Sequence, residues 1–341
     1  MKYDVTIGIP VYKAEHFIRE TMESALSQTY PSIEFLIVDD AGGDRSISII
    51  YELIASHPRR NDIRVLSHSQ NQGVSASRNQ IIEEAQGGYL YFLDADDLIA
   101  DNTISLLMQH IKQYDAEIAF GSYERVDLFG KREVYQYPSL QLIGEDQLAI
   151  FAYRKYAGIQ ASACNFLVKT SLLRENELRF IDVNYWEDMV FSFDLVTQIS
   201  RAVLLPDITY TYLCRENSLS HYQYRHQIPK NEVMQNVKAI NHLKETSTLL
   251  YNKVYFPNRC LNIVMTDFFL ACHIMKRRKE IVPTVSNREI KSMMVHPATF
   301  RKICSFRQSR YINLVLFMLG YLPAFLCVAV IWMMGKAKKL L

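Results

Sequence analysis

Three carboxylates stand within four residues at the end of an apolar run. The run Tyr91-Phe92-Leu93 continues directly into Asp94, Asp96 and Asp97. Clustered acids repel one another unless a cation neutralises them, and hard divalent ions bind carboxylate oxygens while keeping positions open for substrate phosphates. The spacing therefore predicts a buried strand that ends in a metal site holding a diphosphate. The alternative is that Asp96 or Asp97 caps a helix beginning near Leu98.

The elements that position these acids alternate between strand and helix. Apolar, β-branched runs predict strands, and apolar residues at helical spacing follow each of the first two. In chain order, the predicted elements are a strand at 5–11, a helix at 17–26, a strand at 34–38, a helix at 47–54, a strand at 63–66 and a helix at 74–85. Such alternation predicts βαβ units and a mostly parallel sheet, whose ligands bind at the carboxyl ends of the strands. The loops at Pro10–Tyr12, Asp39–Asp40 and Asp94–Asp97 are therefore expected to meet at one edge of the sheet.

Composition narrows the class of protein. The 341 residues suffice for two folded units or for one large α/β domain with appendages. A net charge of +2 gives no global attraction to nucleic acid. The six cysteines lie far apart without zinc-site spacing, so we expect reduced, buried thiols. The N-terminus enters a strand-like run at once, without the regions of a secretory signal, which predicts that the folded body stays in the cytoplasm.

The C-terminal region has a different character. Ile312–Met334 is a run of 23 residues without a charge, and basic residues flank it on both sides. That length is enough to cross a hydrocarbon core, so the run is a candidate membrane segment. Gly320 and Pro323 near its centre also allow a re-entrant hairpin or a segment lying in the interface. The remaining alternative is a buried helix of the folded body.

Several short motifs stand together in a specific order. They are Ile7-Gly8-Ile9-Pro10-Val11-Tyr12, Ser27-Gln28-Thr29-Tyr30, Val38-Asp39-Asp40, Asn71-Gln72-Gly73, Ser77-Arg78-Asn79, Phe92-Leu93-Asp94-Ala95-Asp96-Asp97, Trp186-Glu187-Asp188-Met189-Val190-Phe191, and Tyr210-x-Tyr212 through Ser218-x-Ser220. Over about two thirds of the chain this order resembles the family 2 glycosyltransferases. The resemblance implies a GT-A fold, a nucleotide-sugar donor, a divalent metal (Mn²⁺ or Mg²⁺) and inversion at the anomeric carbon.

The resemblance also implies a role for each matching residue of the donor site. Pro10, Val11 and Tyr12 would wall the base site, Asp40 would accept the imide N–H of a uracil-type base, Arg78 would face the nucleotide or its phosphates, Asp94 with Ala95 would face the ribose, and Asp96 would bind the metal that bridges the diphosphate. Asp39–Asp40 also fits an Asx turn before the glycine pair. A lone arginine on a helix is usually solvated, so the role of Arg78 depends on the resemblance.

Asp188 matches the catalytic base of the family. In an inverting transfer one carboxylate takes the proton of the attacking hydroxyl. Asp188 and Glu187 also suit the first turn of a helix, where acids are favourable to the helix dipole. Trp186 is either a platform for a sugar ring or a core residue.

The chain departs from the family pattern in places. Relatives often carry Arg and then His where Leu213 and Arg215 stand here, so Arg215 is expected to supply the phosphate-facing charge. His221 is an uncertain substitute for the missing histidine, and we do not count it as a metal ligand. The Q-x-x-R-W motif of processive synthases is missing, which favours the transfer of one sugar per encounter.

The resemblance implies an inverting glycosyltransferase that moves a sugar, most simply from a UDP-sugar, to a hydroxyl of a carbohydrate or lipid-linked saccharide in surface polysaccharide synthesis. The expected place is the cytoplasmic side of the cell membrane. The predicted domains are residues 1–222 with the GT-A fold, 223–310 as a helical extension and 311–341 as a membrane-associated segment. Alternatives are transfer to a polyprenyl phosphate, a non-catalytic nucleotide-sugar-binding protein, and nucleotidyl transfer on a related fold.

Overall fold

The structure is a computed structural model that describes residues 2–154, 159–215 and 226–341. Within these ranges the chain forms two compact units. The first holds residues 2–148 and 161–215, and the second holds 149–154, 159–160 and 226–341. The predicted boundary at residue 222 lies outside the described residues, as do Ser218, Ser220 and His221.

The first unit is built on one large sheet with helices packed on it. Its elements are β1 (Tyr3–Val11), α1 (Ile18–Leu26), β2 (Ile33–Asp39), α2 (Ser46–Ile54), β3 (Ile63–Ser67), α3 (Val74–Glu84), β4 (Gly87–Phe92), β5 (Leu98–Ile99), α4 (Thr103–Tyr114), β6 (Ile118–Val126), β7 (Arg132–Tyr135), β8 (Leu140–Ile143), β9 (Phe166–Lys169), α6 (Thr170–Glu175), α7 (Glu187–Leu195) and β10 (Arg201–Leu213). A short 3-10 helix, Arg60–Asp62, precedes β3. The predicted order of strands and helices up to β4 is confirmed.

The sheet runs in the order β3-β2-β1-β4-β9-β6-β10-β5, with β7 added beside β6 and β8 beside β10. The first four strands are parallel neighbours. From β4 onward the pairs are antiparallel, except for the parallel pair of β6 with β10. The prediction of a mostly parallel sheet is therefore right for the first four strands and wrong for the rest, because β9 inserts between β4 and β6 against the direction of both.

Close packing of α3 on β1 sets the position of the later site residues. β1 is buried along most of its length, as expected of a strand covered on both faces. At Gly8 an added Cβ would lie 2.3 Å from the side chain of Ile81 on α3. Any side chain at position 8 would therefore push α3 away from the sheet. The backbone N–H of Leu93 also donates to the Gly8 carbonyl at 3.0 Å, which holds the end of β4 beside β1.

The second unit is mainly helical. Its elements are α5 (Gln147–Arg154, of which residues 149–154 belong to this unit), β11 (Ile228–Pro229), α8 (Lys230–Ser247), α9 (Phe256–Lys276), β12 (Ile281–Val282), α10 (Asn287–Met293), α11 (Phe300–Cys304), α12 (Arg310–Leu319) and α13 (Ala324–Ala337). A 3-10 helix, Thr248–Leu250, follows α8. The predicted apolar run 312–334 thus forms two helices separated by the residues around Pro323. Among the described residues, none of the helices combines the length and the apolar character needed to cross a bilayer.

Candidate active site

The acidic turn 94–97 follows β4 directly, as predicted. The N–H of Asp97 donates to the carbonyl of Asp94 at 3.2 Å, which closes the turn. The carboxylate of Asp97 is buried and accepts hydrogen bonds from the Tyr210 hydroxyl at 2.6 Å and from the Leu213 N–H at 2.9 Å. Asp97 therefore fastens the turn to β10, and the helix start expected near Leu98 is wrong because Leu98–Ile99 pairs with β10 as a short strand.

Asp96 is a partly buried acid that lies beside the negative charge of Asp94. Burial and, after it, the negative charge of Asp94 together raise the pKa of the Asp96 carboxyl to about 6, against the opposing charge of Arg215. Arg215 donates from Nη2 to the backbone oxygen of Asp96 at 3.1 Å, and its guanidinium lies 4.1 Å from the ring centre of Phe17. The predicted residues Asp94, Asp96 and Arg215 are thus brought together at this turn.

The described residues hold no cluster of three side chains able to bind a metal by themselves. Mg²⁺ in nucleotide enzymes is held by one or two carboxylates together with substrate phosphates, so a complete protein cage is not required. Two carboxylates whose charges repel each other are a donor set of this kind, because a divalent cation relieves the repulsion that raises the pKa of Asp96. Asp94 and Asp96 therefore fit a metal that is completed by a diphosphate.

Arg78 joins the acidic turn to α7. Its side chain is buried, with Nη2 donating to Asp94 at 2.8 Å and Nη1 donating to Glu187 at 2.9 Å. Burial alone would lower the pKa of the guanidinium, but the charges of Asp94 and Glu187 outweigh it and the pKa is raised. The sequence placed Arg78 at the nucleotide, whereas in the structure both Nη atoms bind carboxylates of the protein.

Asp188 lies in the first turn of α7, beside this ion-pair network. Trp186, the residue before the helix, has φ of 66°, in the left-handed region that non-glycine residues seldom adopt. The Asp188 carboxylate accepts from the N–H of Met189 at 2.6 Å. Burial and the neighbouring charge of Glu187 raise the pKa of Asp188 to about 7, against the opposing effects of Arg78 and of that hydrogen bond. A carboxyl poised near neutral pH is suited to proton transfer.

Helix α3 holds the segment that leads into α7. The side chain of Asn79 both donates to the carbonyl of Phe180 and accepts from its N–H, each at 2.8 Å. Ser75 donates from its hydroxyl to the carbonyl of Val183 at 3.2 Å, and the Arg78 guanidinium lies 5.3 Å from the Phe180 ring centre. One face of α3 therefore fixes the approach to Asp188. Asn79 belongs to the Ser77-Arg78-Asn79 motif, but the motif alone does not indicate this role.

The predicted base site lies at the ends of β1 and β2. Val11 is buried and Tyr12 is half exposed, with the Lys13 ammonium 5.2 Å from the centre of its ring. The N–H of Asp40 donates to the carbonyl of Val11 at 2.9 Å, so the two strand ends are joined. Pro10, Val11, Tyr12 and Asp40 are therefore adjacent, as the sequence predicted.

Asp40 already has three donors from the protein. It accepts from the N–H groups of Gln72 and Gly73 at 2.7 and 2.8 Å, and its Oδ1 lies 2.7 Å from Nδ1 of His68. A carboxylate offers roughly four acceptor positions, so about one remains for a ligand. No sequence motif pointed to His68. Its position directly after β3 nevertheless puts it at the same edge of the sheet as the other strand ends.

The family profile described as Glycosyl transferase family 2 matches residues 6–175. An uncharacterized glycosyltransferase of Haemophilus influenzae is 30% identical over 200 residues, which cover 59% of this chain and 74% of that protein. The chain belongs to the family 2 glycosyltransferases. It is therefore a glycosyltransferase, and the motifs quoted from its sequence lie largely within the matched region.

Solved structures show the GT-A fold for this glycosyltransferase. TarS of Staphylococcus aureus in complex with UDP superposes with a TM-score of 0.58 at 17% identity, covering 93% of this chain and 89% of that one. The mannosyltransferase PcManGT of Pyrobaculum calidifontis, in complex with GDP-Man and Mn²⁺, superposes with a TM-score of 0.54 at 14% identity, covering 97% of this chain and 87% of that one. At such identities the likeness concerns the fold.

Proposed function

We propose that this family 2 glycosyltransferase moves a sugar from a nucleotide diphosphate donor, in the first place a UDP-sugar, to a hydroxyl of a saccharide acceptor with inversion. The observation that carries the proposal is the network in which Arg78 joins Asp94 of the acidic turn to Glu187, the neighbour of Asp188. In this network the acidic turn, to which we assign the metal, is joined to the helix that carries a carboxyl with a pKa of about 7.

The donor half of the site is assigned from the strand ends. Pro10, Val11 and Tyr12 wall the base, and the remaining acceptor position of Asp40 receives its imide N–H. Asp94, with Ala95, faces the ribose. Complexes of fold relatives with UDP and with GDP-Man support a nucleotide-sugar donor.

Asp96 would hold the divalent metal, Mn²⁺ or Mg²⁺, with the carboxylate of Asp94 as the second acid of the same turn. When bound, this ion supplies a Lewis acid for the negative charge that develops on the departing diphosphate. Arg215, whose guanidinium is held over the Phe17 ring next to Asp96, adds a positive charge on the same side. The Mn²⁺ complex of PcManGT supports this assignment.

Asp188 takes the proton in the transfer step. As the acceptor oxygen bonds to the anomeric carbon, its proton passes to the Asp188 carboxylate and the bond from the anomeric carbon to the diphosphate oxygen breaks. Inversion follows because attack and departure take place on opposite faces. The raised pKa of Asp188 makes this carboxylate a stronger base than an exposed aspartate.

For the acceptor we propose a lipid-linked saccharide of a surface polysaccharide pathway, handled on the cytoplasmic side of the cell membrane. Tethering to a membrane would raise the local concentration of such a substrate. Polyprenyl phosphate is the main rival acceptor. A comparison of polyprenyl phosphate with lipid-linked saccharides, at one donor, separates the two.

The deciding experiment incubates the purified chain with a panel of nucleotide sugars and Mn²⁺ and follows the release of nucleotide diphosphate with and without chelator. Release from one UDP-sugar that stops with chelator, and that Asp96→Asn abolishes, supports the proposal. Asp207→Asn, at an exposed position of β10, is the matched control and should retain the rate. Donor binding without any turnover, even with every acceptor offered, would instead point to a nucleotide-sugar-binding protein.

A further inference from the structure

The consecutive helices α12 and α13 and the connection between them expose many large apolar side chains. On α12 the exposed apolar side chains are Tyr311 and the residues one, four and seven positions after it, and this spacing puts them on one face of the helix. The exposed apolar residues of the pair and its connection are Tyr311, Ile312, Val315, Met318, Tyr321, Phe325, Leu326, Trp332 and Met333. Tyr311 is 75% exposed, Tyr321 70% and Phe325 65%. We call this set the α12–α13 face.

The opposite sides of both helices are packed, so their orientation is fixed. α12 contacts α9 and α11, and α13 contacts α9 and α10. Leu316 on α12 and Ile331 on α13 are fully buried. The side-chain oxygen of buried Asn313 accepts from Nε2 of His296 at 2.9 Å, and its side-chain nitrogen donates to the carbonyl of Ser309 at 2.8 Å. The apolar face is therefore presented by well-packed helices rather than by a frayed end.

The charge of this region is strongly asymmetric. Residues 291–341 carry eight Lys and Arg side chains and no Asp or Glu, so they hold a charge of +8. The whole chain has a net charge of +2, which leaves −6 for residues 1–290. A basic region beside an exposed apolar face is complementary to a surface that is anionic outside and apolar beneath.

Basic groups border the face at both ends. Residues 304–307 and 309–312, among them Arg307 and Arg310, line a surface cavity of about 580 Å³. The Arg310 guanidinium lies 5.0 Å from the Tyr311 ring centre, and the Lys336 ammonium lies 5.6 Å from that of Trp332. An aromatic ring with a cation beside it suits the headgroup level of a bilayer, where one end is wet and the other apolar.

We propose that the α12–α13 face docks flat on an anionic lipid bilayer, with its apolar side chains in the headgroup and acyl boundary and Arg307, Arg310 and Lys336 on lipid phosphates. A second copy of the chain is a poorer occupant, because dimerisation through this face would bring two regions of charge +8 together. The inference refines the membrane location proposed above, but its test is independent of catalysis.

The test measures binding of the full chain to sedimented vesicles of phosphatidylcholine alone and of phosphatidylcholine mixed with phosphatidylglycerol. Binding to the mixed vesicles only, weakened by high salt, is expected. The double variant Arg307→Gln/Arg310→Gln should bind these vesicles roughly thirty-fold more weakly. The control with the same net charge is Arg19→Gln/Arg60→Gln, whose side chains are exposed on the first unit and which should bind like the unchanged protein.

The apolar part of the face has its own variant. Tyr311→Ser/Phe325→Ser should abolish most of the binding, whereas Leu128→Ser/Phe129→Ser, at exposed apolar positions of the β6–β7 hairpin, should not.

Trp186 and Trp332 are the two tryptophans of the chain, so Trp186→Phe leaves Trp332 as the sole fluorescent tryptophan. Brominated lipid should then quench its fluorescence, which locates the contact at this face. Unchanged circular dichroism spectra establish that each variant is folded.

Equal binding to neutral and anionic vesicles would overturn the role of the charges. Retained binding in Tyr311→Ser/Phe325→Ser, or unquenched Trp332 on bound protein, would overturn the assignment to this face. The docking proposal would also be overturned if the chain bound no vesicles and light scattering instead showed a dimer that the same double variant dissociates.

Discussion

At the scale of single residues, the adjacent carboxyls of Glu187 and Asp188 lie in different environments. Glu187 is fixed by Arg78 at 2.9 Å, while Asp188 accepts one backbone hydrogen bond and has a pKa of about 7. The ion pair thus leaves Asp188 as the acid of this pair that is poised to take a proton.

The first prediction concerns Asp188 and pH. A general base acts only when it is deprotonated. The rate of sugar transfer should therefore reach a plateau well above pH 7 and should fall about tenfold per pH unit below the Asp188 pKa of about 7. Asp188→Asn should lower kcat roughly 10²- to 10⁴-fold. Calorimetry should find unchanged donor binding in that variant, with Asp207→Asn as control. A normal kcat in Asp188→Asn would remove Asp188 from the mechanism.

A second prediction at this scale compares two arginines that each bridge two acids. Arg78 joins Asp94 and Glu187, and Arg64 joins Glu34 and Glu84 at 2.7 and 2.9 Å. A lysine keeps the charge but lacks the planar fork that reaches both partners. Arg78→Lys and Arg64→Lys should therefore both lower the free energy of unfolding.

The two variants should differ in their kinetics. The charge of Arg78 lowers the pKa of Asp188, so a misplaced charge in Arg78→Lys should move the acid limb of the pH–rate profile to higher pH. Arg64→Lys should leave that limb where it is. A profile of Arg78→Lys that matches the unchanged enzyme would show that Arg78 is only a structural bridge.

At the scale of elements, one buried lysine ties three helices of the second unit. Lys244 on α8 lies 2.6 Å from the Asp267 carboxylate on α9 and donates to the Met293 carbonyl at the end of α10, also at 2.6 Å. Both charged side chains are buried. Burial raises the pKa of Asp267 to about 7, and the Lys244 charge opposes the shift.

Lys244→Met should therefore cost about 3–5 kcal/mol of the free energy of unfolding, because it leaves a buried carboxyl without its partner. Lys244→Met/Asp267→Leu should recover most of that loss. In the single variant the folded Asp267 binds more protons than the unfolded one above the ordinary pKa of 3.8, so stability should fall as pH rises from there. Urea unfolding at several pH values measures both effects. A double variant no more stable than the single one would contradict this account.

The elements also show what the sequence could and could not predict. β1, β2 and β4 and the helices between them follow from local patterns, because each strand is apolar and each helix has one apolar face. The antiparallel insertion of β9 depends on pairing between distant segments, which no local pattern specifies. Likewise, residue type and motif were enough to identify the acids of the 94–97 turn and Arg78 as site residues. The ion pair of Arg78 with Glu187 joins residues 109 positions apart, so only the folded structure shows it.

At the scale of the whole molecule, the distribution of charge matters more than its sum. Above the pI of 8.1 the chain as a whole is negative, yet residues 291–341 remain a concentrated basic region. A charged surface interacts mainly with the nearest charges of the protein, because salt at moderate concentration screens charges that are more than about 10 Å away. We therefore predict that the chain binds a cation exchanger at a pH above its pI, where net charge alone would exclude binding.

The same two charge-matched double variants test whether binding to the cation exchanger depends on where the basic residues lie or only on the net charge of the chain. Arg307→Gln/Arg310→Gln should elute from the cation exchanger at clearly lower salt than Arg19→Gln/Arg60→Gln, although both have lost two positive charges. If the two variants eluted together, the basic residues near α12 would act only through the net charge. Separate elution, by contrast, would show in the absence of lipid that the basic residues bordering the α12–α13 face act as one local surface.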